Sequence, residues 1–271
     1  MKRDSVQLVS YSSSEDSDSE KSPPTKKRKL PTLAATLAGK THVDNPALHQ
    51  GRKRSTPHID GQYATHVYAS VPLSRSSQLF DAISKITASA KARVPALNDF
   101  FSAPDGRRPE LHISVTRPIF VRAHQREELK RAVKRIADGT RPFSASLACI
   151  TELVNDERTR VFLALEIGAG HHELSELTAS LNPVLQAIRQ EVYYSEPRFH
   201  ASIGWALLDE NPQSPQAASE YPTIRGFPST LLADLDTEHR LSLSAAAVKS
   251  FDIDEICVKI GQDVCRFRLQ S

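Results

Sequence analysis

The chain has 271 residues, 35 Lys and Arg against 32 Asp and Glu, and three cysteines. That length allows one large domain or two small ones. No apolar run approaches the ~18 residues of a membrane span, and the charged, Ser-rich start lacks the apolar segment of a secretory signal. Cys149, Cys257 and Cys265 are too few and too scattered for a disulfide framework or a zinc site, so a reducing compartment is expected.

The net charge of +3 is unevenly placed. Residues 1–60 carry 11 basic and 7 acidic residues, which leaves 24 basic and 25 acidic residues for the remainder. The bulk of the chain is therefore no general polyanion binder by net charge, and any grip on nucleic acid there must come from a local patch.

Residues 1–61 read as a disordered leader, rich in Ser, Pro and charge and poor in aromatics. Within it, Ser12 to Glu20 interleaves serines with acids and is open to phosphorylation. Lys26, Lys27, Arg28 and Lys29, flanked by prolines, match a nuclear-localisation cluster that an import receptor would read, which places the protein in the nucleus. Arg52-Lys53-Arg54 could add to it. A solvated charge run or a nonspecific RNA-binding arm is the alternative.

From residue 62 to 271 the pattern is that of a folded domain. Thr65 to Pro72 reads as a strand. Ser76 to Ala92 carries Leu79, Ile83 and Ile86 at helical spacing. Leu111 to Thr116 alternates as a strand and stops at Pro118. His124 to Ala137 is an amphipathic helix with Leu129, Val133 and Ile136 inward and Gly139 as its stop. Phe143–Val154 and Thr159–Ile167 form a hairpin around Asn155-Asp156-Glu157. His172 to Arg189 places Leu174, Leu177, Leu181, Leu185 and Ile188 on one helical face, with Pro183 expected to kink or split it. Phe199 to Leu207 is a second alternating strand. Phe227 to Ala245 reads as helix, and Val248–Val258 and Val264–Leu269 as closing strands. Gln213 to Pro228 reads as a surface loop. The expected class is α+β with antiparallel sheets, in two similar halves that each set an H-x-S strand after a helix.

The two tripeptides are His112-Ile113-Ser114 and His200-Ala201-Ser202. Alternate residues of a strand face the same way. Each strand then offers an imidazole and a hydroxyl to one surface and an apolar back to the other. With 10 His and 30 Ser in the chain, about one H-x-S arises by chance, so the bare motif is weak. The apolar framing and the strand placement give it weight. The alternative is two pairs of ordinary half-buried strand residues.

RNA cleavage through its own 2′-hydroxyl needs a base for that proton and an acid for the leaving 5′-oxygen. Histidine serves either role near neutral pH, and Ser114 and Ser202 can donate hydrogen bonds to the non-bridging oxygens. No metal and no cofactor are called for. The adjacent His171-His172 reads as a solvated helix start, not a ligand pair.

This arrangement resembles the 2H (two-histidine) phosphoesterase superfamily, whose paired H-x-[ST]-x motifs correspond to His112-Ile113-Ser114-Val115 and His200-Ala201-Ser202-Ile203. Within it, Tyr68-Ala69-Ser70-Val71-Pro72, Tyr194 to His200 and Ser202-Ile203-Gly204-Trp205 are similar to segments of the U6 snRNA phosphodiesterases. The resemblance covers about residues 62–271. It implies two pseudo-symmetric lobes with antiparallel sheets flanking a central catalytic groove. It implies a 3′-5′ RNA exonuclease that trims the 3′ end of U6 snRNA and leaves a 2′,3′-cyclic phosphate or a 3′-phosphate. By position, His112 and His200 are the catalytic pair, Ser114 and Ser202 hold the phosphate, and Tyr194 stacks on the terminal base. Which histidine is base stays open, with His200 the preferred choice. The expected partner is the single-stranded 3′ end of RNA, with no membrane and a monomeric state. Two other readings remain at this point: a 2H enzyme acting on 2′,3′-cyclic phosphate ends or small cyclic nucleotides, and a non-enzymatic nuclear RNA-binding or splicing-associated protein.

Overall fold

The computed structural model describes residues 45–53, 56–57, 59–101, 109–209 and 221–270. The Ser12–Glu20 stretch, the Lys26–Lys29 cluster and the first half of the Gln213–Pro228 loop lie outside the described residues. In chain order the elements are β1 (Gln62–Pro72), α1 (Gln78–Arg93), β2 (Asn98–Asp99), β3 (Glu110–Ser114), β4 (Ile119–Arg122), α2 (Arg126–Asp138), β5 (Phe143–Val154), β6 (Arg160–Ile167), α3 (His171–Ala187), β7 (His200–Leu208), β8 (Thr223–Ile224), α4 (Leu231–Ser244), α5 (Ala246–Lys249), β9 (Ser250–Ile253), β10 (Glu255–Ile260) and β11 (Asp263–Arg268). A short 3-10 helix, Pro46–His49, precedes β1. None of the described helices is long and apolar enough to cross a membrane.

Local chemistry fixes the helix ends. The Ser77 hydroxyl accepts from the Phe80 amide and caps α1. Leu79, Ile83, Ile86 and Ala90 then recur at helical spacing and are buried. Gly139 ends α2, its amide bonding to the carbonyls of Arg135 and Ile136.

The strands form one mixed-order sheet, β11-β10-β1-β3-β7-β6-β5-β9, with β4 on β1 and β2 and β8 on β7. Every pairing is antiparallel except β7 with β8. The α+β class and the two halves are as expected. One half is β11-β10-β1-β3 and the other is β7-β6-β5-β9. They join where β3 meets β7 at the Ile113–Ala201 pair. The helices pack on the sheet and on each other: α1 on α4, α4 on β5, and α2 on β10, β11 and α3. Leu111, Ile113, Val115, Ala201 and Ile203 are fully buried at the join. Each large aliphatic side chain of this kind contributes roughly 1.5–3 kcal/mol by leaving water.

Three expectations are corrected. Pro183 does not split its helix, which runs unbroken from His171 to Ala187. Leu174, Leu177, Leu181 and Leu185 are all buried on one face, and that burial outweighs the hydrogen bond the proline removes. The run expected as one strand over Val248–Val258 is instead α5, β9 and β10. Strand β9 pairs with β5 at one edge, whereas β10 pairs with β1 in the other half, so the chain must change direction between them. The helix expected from Phe227 starts only at Leu231, beyond Pro228.

Truncating Ile113 to Ala should destabilise the protein by about 2–5 kcal/mol, since it opens a cavity at the only paired position between β3 and β7 among the described residues. Denaturant unfolding reads this directly. The same truncation of the exposed Val154 should cost less than about 1 kcal/mol.

Candidate active site

The register at Ile113–Ala201 brings the two tripeptides together. In an antiparallel pair that matches Ile113 with Ala201, His112 falls across from Ser202 and Ser114 across from His200. Ile113 and Ala201 point into the core, so the four polar side chains share the opposite face. A pseudo-two-fold axis passes through the Ile113–Ala201 pair. The two imidazoles occupy diagonal positions, which in such a pair lie roughly 7–8 Å apart. All four residues are half-buried.

Each histidine is held by a group two residues before it on the same face. Glu110 Oε1 lies 2.7 Å from His112 Nε2. Its other oxygen accepts from the Ser70 hydroxyl at 2.7 Å and from Arg266 at 2.9 Å. Ser70 reaches this point because it lies directly across from His112, and Arg266 because β11 follows β10 and β1 in the sheet. Burial alone would push the Glu110 carboxyl up, but the bonds from His112, Ser70 and Arg266 outweigh it and hold the group at about 2. An ionised carboxylate only accepts, so the Nε2 of His112 carries the proton. The His112 ring also stacks on Tyr68 at 3.9 Å, and Tyr68 in turn stacks on His66 at 5.1 Å. Burial, and then the charges of His112 and Lys259, push His66 down to about 4, which keeps it neutral.

His200 is held differently. Its Nδ1 lies 2.7 Å from the Arg198 carbonyl, which can only accept, so Nδ1 carries the proton and Nε2 keeps its lone pair. Burial lowers its pKa ahead of opposing contributions from the Arg198 carbonyl bond and the Glu166 charge. The Arg198 side chain pairs with Glu166 at 2.7 Å and bonds Thr151 at 3.0 Å. Glu166 lies directly across from His200 on β6. His171, the first residue of α3, bonds the Pro197 carbonyl at 3.0 Å and packs edge-on against Phe199, which anchors the approach to this strand.

Ser114 and Ser202 have no hydrogen-bond partner among the described residues, which leaves both hydroxyls available to a ligand. Tyr194 stands apart from the four. It is 39% exposed, its hydroxyl donates to Asp156 at 2.9 Å, and the Arg117 guanidinium lies 4.0 Å from its ring centre. Arg117 is three residues beyond Ser114 and bonds Glu191 at 2.9 Å, so this contact links the exit of the first motif to the approach to the second. A cavity of about 480 Å³ lies against Arg117, Tyr193 and Tyr194. Among the described residues, no three His, Cys, Asp or Glu side chains converge to hold a metal ion.

Glu110, Ser70, Arg266, Arg198 and Glu166 were not singled out by sequence. Glu110 and Arg198 had a readable signal, because the period-two rule that pairs His with Ser extends one step upstream as E-x-H-x-S and R-x-H-x-S. The other three arrive through strand pairing.

Comparison with known proteins finds a matching family model and several named relatives. The model of the HVSL family, described as an uncharacterised conserved protein, matches residues 23–268. U6 snRNA phosphodiesterase 1 of Xenopus laevis is 29% identical over 211 residues, covering 75% of this chain and 80% of that protein. The protein of the same name from Drosophila melanogaster is 30% identical over 226 residues, covering 75% and 83%. The match to the Bos taurus protein spans only 59% of its length. Among solved structures, Usb1 of Kluyveromyces marxianus is similar with a TM-score of 0.48 and 16% identity, over 76% of this chain and 98% of that one.

The Glu110 network makes stability depend on acid. Its folded pKa is depressed to about 2 from an ordinary 4.5, so its contribution is complete above about pH 5 and is lost as pH falls towards 2. Thermal melting across that window should show a steeper loss for the wild type than for Glu110→Gln. Parallel curves would remove Glu110 as the cause.

Proposed function

This chain belongs to the HVSL family, and we propose that it is an RNA phosphodiesterase that trims the 3′ end of U6 small nuclear RNA. The observation that carries the reading is the diagonal placement of His112 and His200 around a pair of serine hydroxyls that no described residue engages. The relatives' names supply the substrate.

In this reading the scissile phosphate sits over the β3–β7 join. His200, neutral and with a free Nε2, removes the proton from the 2′-hydroxyl. The 2′-oxygen attacks phosphorus, and the bond to the 5′-oxygen of the terminal nucleoside breaks. His112 protonates that leaving oxygen from Nδ1, the ring nitrogen that Glu110 does not hold. Ser114 and Ser202 donate to the non-bridging oxygens as charge gathers on them. The products are a 2′,3′-cyclic phosphate on the shortened RNA and a nucleoside with a 5′-hydroxyl. Water entering by the reverse path, with the histidines exchanging roles, opens the cyclic ester to a 3′-phosphate. Tyr194 then stacks on the terminal base with the ring face that Arg117 leaves free. The Lys26–Lys29 cluster directs the protein to the nucleus, where it works as a monomer.

Mass spectrometry of the products from a defined 3′-hydroxyl oligouridylate in EDTA is the test. Wild type should release 5′-hydroxyl nucleosides and leave cyclic or 3′-phosphate ends. His112→Ala and His200→Ala should each lower the rate by about 10²–10⁴-fold, and each Ser→Ala by a smaller factor. Full activity in either histidine variant, or release of 5′-nucleotides, would contradict the reading. A fluorescent fusion with Lys26, Lys27, Arg28 and Lys29 changed to Ala should lose nuclear accumulation. Unchanged nuclear signal removes that cluster as the import sequence.

A further inference from the structure

The face that carries the two histidines continues along β6 and β7 past Ser202. Glu166 lies across from His200, and Ala164 across from Ser202. By the period of two, Phe162 and Arg160 follow them on that same face. Burial alternates in step: Val161, Leu163, Leu165 and Ile167 are buried on the other side, while Phe162 and Arg160 are half-buried. The extra residue at the register shift of this ladder, Ile203, lies on β7, so β6 keeps its alternation. Trp205 and Leu207, across from Phe162 and Arg160, share the face with them.

Two guanidiniums meet at this end. Arg160 lies 5.4 Å from the Phe162 ring centre, and Arg52, from the segment that precedes β1, lies 5.2 Å from that of Trp205. Both arginines are half-buried. Burial pushes each below its ordinary range, and the charge of Arg52 pushes Arg160 further down, against an opposing contribution from Glu157 on the hairpin turn. Among the described residues the Arg160 guanidinium has no hydrogen bond or ion pair, and that of Arg52 bonds only the His49 carbonyl, at 2.9 Å. Thr151 and Leu153, which β5 sets on this face across from Ala164 and Phe162, are uncharged. Two partly desolvated like charges within electrostatic reach of each other call for an anion. A phosphodiester supplies one, with oxygens that two guanidinium forks can share.

We propose that Arg52 and Arg160 together bind one phosphodiester of the RNA upstream of the scissile phosphate. The inference rests on the functional reading above. An enzyme that releases the 3′-terminal nucleoside has no phosphate on that side of the cut, so a second phosphate site must take the upstream strand. Arg160 is four residues along β6 from Ala164, about 13 Å. At that distance it meets the phosphates that lie beyond the scissile one.

Two measurements test it. UpU has only the phosphate that is cut, whereas pentauridylate carries others upstream. Arg52→Gln and Arg160→Gln should each raise KM for pentauridylate about five- to tenfold at unchanged kcat, and KM for UpU less than twofold. Because the two arginines share one phosphate, the double variant should lower the salt slope of binding by about one, not two. A role confined to folding would raise KM for both substrates alike. Separately, on the wild type, a non-cleavable 2′-O-methyl pentauridylate should slow phenylglyoxal labelling of Arg160, read by site-resolved mass spectrometry, and 2′-O-methyl UpU should not. Wild-type KM and salt slope in both variants, equal changes for UpU and pentauridylate, or labelling of Arg160 at the same rate with and without the pentamer would each overturn the subsite while leaving the cleavage reading intact. A wild type that cleaves neither substrate would overturn the cleavage reading, and protection of Arg160 would then decide whether RNA occupies the site.

Discussion

Two short strands that are apolar on one side and polar on the other must meet with their apolar sides turned the same way. Everything at the site follows from that constraint. Ile113 and Ala201 face each other in the core, and the period of two then turns His112, Ser114, His200 and Ser202 to the opposite surface. A slip of one residue would bury both imidazoles and expose both aliphatic backs, so the register of the join is the register of the active site.

The join is symmetric in backbone and asymmetric in charge. His112 faces a carboxylate that Ser70 and Arg266 keep ionised, while His200 faces a neutral carbonyl and is lowered by burial. The opposite proton roles proposed for the two histidines need this difference, and it is set by residues two positions upstream of each. On the β6 side, Arg198 neutralises Glu166, which would otherwise present an unpaired negative charge beside His200.

Much of this was legible in the chain. Alternation placed both H-x-S strands and their apolar backs, and helical spacing placed α1, α2 and α3. What alternation cannot encode is which strands become neighbours. Ser70 and Arg266 are 40 and 156 residues from Glu110, and only the sheet order joins them to it. The same limit explains the single strand expected over Val248–Val258, where an apolar run serves two ladders in opposite halves. Pro183 fails to split its helix for another reason, since a local rule about a missing amide was outweighed by four buried leucines. Tyr194 was named by resemblance, and its contacts with Arg117 and Asp156 arise from loops with no periodicity to read.

The central claim is that the four side chains form one phosphate site. Titrating the protein with a 2′-deoxy dinucleoside phosphodiester, while following the imidazole ¹⁵N resonances by NMR, tests it most directly. Both His112 and His200 should shift with a single binding constant, and the exposed His172 should not move. Movement of only one of the two, or different binding constants for the pair, would contradict a shared site.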